Sequence, residues 1–216
     1  MTDPNYTALL LVIDRSGSMA TIRDDMVGGM QELLRDQAAQ PGMLTVDVVI
    51  FDNVVEWQHA FADPKDVVIE LVPRGSTALY DALGGAIAQF GQRLAELPEH
   101  ARPGVVTVVV VTDGEENASV EWTAETVRGS VAHQQEVYGW HFVFLGANQD
   151  AALSAGRIGI APSSAMSYSA APAAVRSTSA SLGRFMSDLR AGRAKGFTDA
   201  ERSSAMTGEE DDPDRA

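Results

Sequence analysis

The stretch LLLVIDRSGS, residues 9–18, is the most concentrated signal in the sequence. Residues 7–13 are all apolar or small, which predicts a strand that is covered on both faces of a parallel sheet. This strand ends abruptly at Asp14, and two hydroxyl side chains, Ser16 and Ser18, follow at alternate positions. We therefore expect a buried strand that delivers polar groups to one edge of a sheet.

Helix and strand patterns alternate along the rest of the chain. Apolar residues at three- and four-residue spacing mark the predicted helices, and β-branched or alternating runs mark the predicted strands. We predict strands over residues 44–51, 55–61, 105–112, 139–145 and 166–169, and helices over residues 21–37, 78–97, 121–135, 151–156 and about 175–189. The connector over residues 63–72 is a candidate for a further short helix.

The connections between these elements predict the architecture. The strand after the Asp52-Asn53 turn must run antiparallel to its predecessor, since so short a turn cannot hold a crossover. The other strands are separated by helices, and right-handed crossovers place those helices on both sides. The predicted fold class is α/β: a doubly wound, mostly parallel sheet with one antiparallel edge strand and helices on both faces. We assign residues 1–192 to this domain and residues 193–216 to a flexible acidic C-terminal tail.

The composition of the chain excludes several classes of function. The 216 residues carry a net charge of -14 without a cluster of Lys or Arg, which argues against binding to nucleic acid. The sequence has no cysteine, so disulfides, zinc thiolate sites and cysteine nucleophiles are excluded. The first apolar run stops at Asp14 and is too short for a signal segment or a membrane span. We expect a cytoplasmic protein with no membrane partner.

Two aspartates end predicted strands and point to a metal site. Asp14 and Asp113 both follow all-apolar parallel strands, so we expect them at the same edge of the sheet. Two carboxylates in such a place lose solvation and repel one another, and a divalent cation is the simplest relief. Ser16, Ser18 and Thr77 add neutral hydroxyls from neighbouring loops. Hard oxygen donors of this kind favour Mg²⁺, with Mn²⁺ or Ca²⁺ as alternatives, over zinc or copper.

These residues resemble the motif of a known family. The DRSGS motif at residues 14–18, with Thr77 and the turn after Asp113, resembles the metal-ion-dependent adhesion site (MIDAS) of von Willebrand factor A-type (vWA) domains. The order and spacing of the elements are similar to this family over about residues 6–189. The resemblance implies a Rossmann-like fold in which the two serines bind the metal directly and Thr77 binds it directly or through water.

The same resemblance implies how such a metal is used. Asp14 and Asp113 would act largely through water, so neutral hydroxyls would fill most of the metal's inner shell. The cation would then remain electron-poor and would attract a carboxylate. In this family that carboxylate comes from an Asp or Glu of a protein partner, which makes the metal a binding device.

Three functions follow as hypotheses. The first is a non-catalytic, metal-dependent protein-binding module of bacterial or phage type. The second, suggested by some intracellular relatives of the family, is a regulatory or substrate-recognition subunit of an AAA+ ATPase system. The third is a metal-dependent hydrolase, but aspartyl-phosphate phosphatases typically carry Asp-x-Asp, and Ser16 stands at the second position here. The sequence also has no Gly-x-Ser-x-Gly turn and no glycine-rich nucleotide loop.

Four features near the predicted site carry alternative expectations. Arg15 either flanks the open position of the metal or is simply exposed. Asp81 either fixes the Thr77 loop by hydrogen bonds or is a carboxylate in the first turn of a helix. Residues 115–117 either extend the site or form a solvated acidic loop. The acidic residues at 209–212 are candidates to occupy the open metal position in the same or a neighbouring copy.

Overall fold

A mixed sheet lies at the centre of the protein in the computed structural model, which describes residues 2–193 and 195–208. Its strands in this part of the chain are β1 (Asp3–Asp14), β2 (Met43–Phe51), β3 (Val55–Ala62), β4 (Pro103–Thr112), β5 (His141–Ala147) and β6 (Ala165–Tyr168). They lie in the order β3-β2-β1-β4-β5-β6. β2 and β3 run antiparallel, and every other neighbouring pair is parallel. The predicted fold class is therefore confirmed.

Helices cover both faces of this sheet. They are α1 (Arg23–Ala38), α2 (Leu79–Glu96), α3 (Ala124–Tyr138), α4 (Ala151–Arg157), α5 (Pro172–Arg190) and α6 (Asp199–Thr207). α1, α5 and α6 share a core with Leu9 and Leu11 of β1, whereas α2, α3 and α4 share the opposite core with Leu10 and Val12. Successive residues of β1 thus face two different helical layers, which is why this strand is apolar throughout. None of the helices in the described residues has the length and apolarity that a membrane crossing requires.

The connector between β3 and α2 differs from the expectation. Residues 63–72 form a turn and then an extended segment, with no helix. Val67, Ile69 and Leu71 are buried while the residues between them are exposed, and a period of two is the mark of extended chain. The Gln58 side chain holds this segment, because its amide donates to the Glu70 carbonyl at 2.6 Å and accepts from the Glu70 N–H at 3.2 Å.

The C-terminal part of the described chain also differs from the expectation of a flexible tail over residues 193–216. Residues Asp199–Thr207 form α6, and Arg184 of α5 donates to Glu201 Oε2 at 2.8 Å. Arg202 donates to the carbonyl oxygen of Pro162 at 2.9 Å and to that of Ala165, at the start of β6. α6 therefore packs beside the short edge strand β6. Residues 209–216, which include the acidic cluster at 209–212, lie outside the described residues.

The strand order brings the two predicted strand-end aspartates together. β1 and β4 are adjacent and parallel, with Ile13 opposite Val111. Asp14 is the last residue of β1, and Asp113 directly follows β4. Both carboxylates therefore lie at the carboxyl edge of the sheet, where open α/β sheets bind their ligands.

Candidate metal centre

Asp14 is fully buried and both of its carboxylate oxygens accept hydrogen bonds. The Ser16 N–H donates to Asp14 Oδ1 at 2.6 Å, and the Thr112 hydroxyl donates to Asp14 Oδ2 at 2.6 Å. One bond comes from the loop after β1 and the other from the end of β4. The carboxylate is therefore held in one position by the two strands whose ends form the site.

The two serine hydroxyls connect Asp14 to Asp113. Ser16 Oγ lies 3.1 Å from Ser18 Oγ, and the Ser18 hydroxyl donates to Asp113 Oδ1 at 2.7 Å. Ser16 is almost fully buried, whereas Ser18 is exposed, so the cluster opens to solvent on the side of Ser18. The loop after β1 and the loop after β4 thus share one polar cluster.

Thr77 reaches the same cluster, as the surroundings of Gly114 show. A Cβ added to Gly114 would lie 2.9 Å from Thr77 Oγ1 and 3.8 Å from both Asp14 Oδ2 and Ser16 Oγ. Three oxygens, two from the end of β1 and the loop after it and one from the Thr77 loop, therefore lie close to one point beside this glycine. The backbone of Gly114 has no positive φ, so its lack of a side chain is what leaves this space open.

The Thr77 loop is fixed by hydrogen bonds to the loop that follows Asp113. The Thr77 N–H donates to Asn117 Oδ1 at 3.0 Å, and the Asn117 N–H donates to the Thr77 carbonyl at 3.0 Å. The Tyr80 N–H donates to Glu116 Oε2 at 2.9 Å. Glu116 and Asn117 therefore organise the loops around the cluster and contact backbone atoms.

Asp81 lies in the first turn of α2, as one of the two expectations states. It accepts hydrogen bonds from the N–H groups of Val120 at 2.8 Å, Glu121 at 2.9 Å and Trp122 at 2.7 Å. Burial acts to raise the pKa of Asp81, but these three donors outweigh burial and hold the pKa below its usual value. Asp81 thus fixes the loop between β4 and α3, and these bonds do not fix the Thr77 loop.

Arg15 is buried, so the expectation that it is simply exposed is wrong. Its side chain is only 5% exposed, its Nε donates to Asp52 Oδ2 at 3.1 Å, and its Nη1 donates to Glu56 Oε2 at 2.8 Å. The charge of Arg15 is therefore used within the protein, on the β2–β3 hairpin. Arg74 also donates to Asp52 Oδ2, at 2.7 Å. Asp52 thus ties the loop after β1 to the loop that carries Thr77.

The electrostatics of the cluster favour a cation. Burial raises the pKa of Asp14, with hydrogen bonds from Thr112 and Ser16 opposing it and the charge of Asp113 adding to it. Burial likewise raises the pKa of Asp113, opposed by the hydrogen bond from Ser18. Two carboxylates that are both costly to ionise indicate a site that lacks positive charge.

The donor set fits a hard divalent cation. Across the described ranges, no group of three or more His, Cys, Asp or Glu side chains could hold a metal, so a cation in this cluster would depend on hydroxyl oxygens. The space beside Gly114 offers such oxygens at its rim, from Thr77 and Ser16. All five predicted residues lie in or border this cluster: Asp14, Ser16, Ser18, Thr77 and Asp113.

Thr112 is a part of the cluster that the sequence analysis missed. Its hydroxyl bonds Asp14, and its carbonyl lies 3.4 Å from the Gln149 amide nitrogen, which also donates to the Gly114 carbonyl. A signal for Thr112 was present in the sequence, since it is a hydroxyl residue that follows four valines and stands directly before Asp113. Gln149 had no such signal, because its contact depends on how the loop after β5 folds back.

No protein-family model matches this chain, and no curated protein sequence matches it. Solved structures do match. The vWF domain of the type V pili tip protein Mfa5 from Porphyromonas gingivalis has 9% identity and a TM-score of 0.60, over 89% of this chain and 97% of that chain. A von Willebrand factor type A structure from Catenulispora acidiphila has 14% identity and a TM-score of 0.57, over 84% of this chain and 42% of that chain.

Proximal thread matrix protein 1 from the mussel byssus is a third similar structure. It has 16% identity and a TM-score of 0.59, over 85% of this chain and 46% of that chain. The same mussel protein is also described with a zinc-occupied MIDAS motif. The chain thus spans less than half the length of the mussel and Catenulispora proteins that it matches.

Proposed function

Because the chain adopts the von Willebrand factor A fold, we propose that it is a protein-binding module that works through a divalent cation at the carboxyl edge of the sheet. The observation that carries this proposal is the space beside Gly114. Thr77 Oγ1, Asp14 Oδ2 and Ser16 Oγ all lie within 3.8 Å of one point there. The proposal assigns that space to the cation.

The chain's own residues divide the work in this proposal. Bound metal supplies positive charge and an open coordination position. The neutral hydroxyls that hold the metal are those of Ser16, Ser18 and Thr77. The two carboxylates, Asp14 and Asp113, orient the loops that carry these hydroxyls and balance the charge of the metal. The 2.7 Å hydrogen bond from Ser18 to Asp113 supports this role. Neutral ligands leave the cation most of its charge, so an Asp or Glu side chain of a partner is attracted to the open position.

The proposed physiological metal is Mg²⁺, with Mn²⁺ or Ca²⁺ as alternatives. Hydroxyl and carboxylate oxygens are hard ligands, and the chain offers no thiolate, which supports these ions over zinc. The zinc in the mussel protein's MIDAS motif supports a divalent cation at the equivalent place. A direct comparison of these ions in one titration ranks them.

The proposal is for binding without catalysis. The described neighbours support this, since one is a matrix protein and another is a pili tip protein. We propose a cytoplasmic location because the chain is acidic and has no cysteine. The location differs from that of the similar pili tip protein, which is part of a pilus. The proposed partner is a protein that presents an acidic side chain.

The experiment that tests this proposal uses Mn²⁺ and a small carboxylate. Water-proton relaxation reports the exchangeable waters on bound Mn²⁺, so a ligand that takes a coordination position lowers the relaxation enhancement. We expect saturable Mn²⁺ binding, followed by a decrease in enhancement with N-acetyl-aspartate amide but none with N-acetyl-asparagine amide. No saturable binding, or the same effect from both probes, would contradict the proposal.

A pair of serine variants makes this experiment specific. Ser18→Ala removes an exposed hydroxyl of the cluster, and we expect it to weaken Mn²⁺ binding by at least about tenfold. Ser203→Ala removes an exposed hydroxyl on α6, away from the cluster, and should bind Mn²⁺ as the wild type does. Equal binding by the two variants would place the metal elsewhere on the protein.

A further inference from the structure

Tyr168 is a buried polar residue that the cluster described so far does not use. It is the last residue of β6 and is fully buried, and its hydroxyl has no hydrogen-bond partner among the residues that the structure describes. A buried hydroxyl without a partner costs roughly 1–3 kcal/mol, so few are kept without a reason. Its backbone carbonyl accepts from the Asn148 N–H at 2.9 Å, which fixes the residue at the end of β6.

Tyr168 lies near the candidate metal site in the fold. Its ring packs in the same core as Met19, which lies in the short 3-10 helix (Gly17–Thr21) that follows the DRSGS motif, and as Ala147 at the end of β5. β6 lies two strands from β4, a distance of about 10 Å across a sheet. Thr112 of β4 pairs with Gly146 of β5, and Ala147 pairs with Tyr168, so Asp113, the next residue after β4, lies level with Tyr168 with Ala147 between them.

Electrostatics give a second, independent relation between the two. Burial raises the pKa of Tyr168 far above its usual range, and the charges of Asp113 and then Asp14 raise it further. Those two carboxylates belong to the candidate metal site, so the charge that acts on this hydroxyl comes from that site. The phenol therefore keeps its proton and can only donate toward negative charge.

We propose that Tyr168 is a positioning residue of the metal centre, whose hydroxyl donates to the Asp113 carboxylate, directly or through one water, when the cation is bound. The inference rests on the proposed metal-dependent function. In the metal-bound protein this bond fixes the Asp113 carboxylate that in turn accepts from Ser18. Hydrogen bonds one step removed from a metal orient its ligands, and their loss typically lowers metal affinity about 10- to 100-fold.

Tyr168→Phe tests this inference because it removes only the unpartnered hydroxyl. We expect Mg²⁺ affinity, measured by titration calorimetry, to fall about tenfold. We also expect the metal-free variant to unfold at the same temperature as the wild type or higher, since a costly buried group is gone. A purely structural role would move stability with and without metal equally and leave affinity unchanged. Tyr138→Phe, at a residue that is 62% exposed, is the matched control.

A second measurement on the intact wild-type chain keeps the inference testable if the variant does not fold. The chain has four tyrosines, and ¹³C labelling at their Cζ atoms reports hydrogen bonding of each hydroxyl by NMR. We expect Mg²⁺ to shift the Tyr168 signal and to leave that of Tyr138 in place. If the wild type binds metal without that shift, or if Tyr168→Phe binds metal with wild-type affinity, the inference about Tyr168 is wrong while the proposed function stands. Failure of the wild type to bind any divalent cation overturns the proposed function as well.

Discussion

Replacing Gly114 with alanine tests whether the space beside this glycine is where the cation binds. The new Cβ would lie 2.9 Å from Thr77 Oγ1 and 3.8 Å from both Asp14 Oδ2 and Ser16 Oγ. Thr77 must then move by a few tenths of an ångström, and the methyl group fills the space that we assign to the cation. We expect Mg²⁺ affinity to fall by at least about tenfold, which is about 1.4 kcal/mol.

The fold should tolerate this substitution. Gly114 has no positive φ, so alanine does not strain the backbone. Replacing Gly by Ala at a compatible backbone position stabilises a protein by about 0.4–1 kcal/mol through the unfolded chain, which acts against the cost of the close contact with Thr77. The metal-free variant should therefore unfold close to the wild-type temperature, and only the stabilisation by added Mg²⁺ should disappear.

Titration calorimetry and thermal unfolding with and without Mg²⁺ measure these two effects. Gly85→Ala is the matched control, because a Cβ on this glycine of α2 would meet nothing within 4 Å. It should raise stability by about 1 kcal/mol and leave Mg²⁺ affinity unchanged. Wild-type affinity in Gly114→Ala would refute the placement of the cation.

Four further predictions concern pH and stability. Because burial raises the pKa of Asp14 and Asp113, protons compete with metal above the usual Asp value of 3.8, and calorimetry at decreasing pH should show falling Mg²⁺ affinity in that range. The same shifts mean that metal-free protein gains stability from these two groups as the pH falls through their raised pKa values. Burial acts to raise the pKa of Asp52, but hydrogen bonds and positive charges, above all the hydrogen bond from Arg74, outweigh burial and lower the pKa. Asp52→Asn should therefore lose stability in urea unfolding at neutral pH, and the loss should shrink as the pH falls through that lowered pKa. Removing residues 193–216 deletes α6 and its charged hydrogen bonds to Arg184 and the start of β6, and should lower the free energy of unfolding by at least about 2 kcal/mol. The first prediction is contradicted if Mg²⁺ affinity does not change with pH. The Asp52→Asn prediction is contradicted if the loss of stability is the same at every pH, and the truncation prediction if the shortened chain is as stable as the full chain.

The sequence determines much of the fold because its strands have a simple pattern. Residues 7–13 are all apolar or small and residues 105–112 are all β-branched, and such runs are typical of strands buried between two helical layers. Once both are parallel strands of one sheet, the edge that carries Asp14 and Asp113 follows from topology alone. This is why the candidate metal site could be predicted from residues that are far apart in the chain.

Contacts that depend on distant side chains could not be predicted in the same way. Arg15 is buried because Asp52 and Glu56 on the β2–β3 hairpin meet it, and no local pattern indicates that pairing. α6 has Ala205 as its only buried residue within the helix, so its amphipathic signal is weak. Polar contacts with Arg184 and with the start of β6 hold it in place, and these appear only once the chain is folded.

Anomalous diffraction from crystals soaked with Mn²⁺ tests the central claim most directly, because it locates the metal without any assumption about its ligands. The account predicts a single strong peak beside Gly114, in contact with Ser16 Oγ and Ser18 Oγ and close to Thr77 Oγ1. It also predicts that the peak is absent from Gly114→Ala crystals under the same soak. The account is contradicted if saturating Mn²⁺ gives no peak at this position, or if Mn²⁺ binds only at other carboxylates.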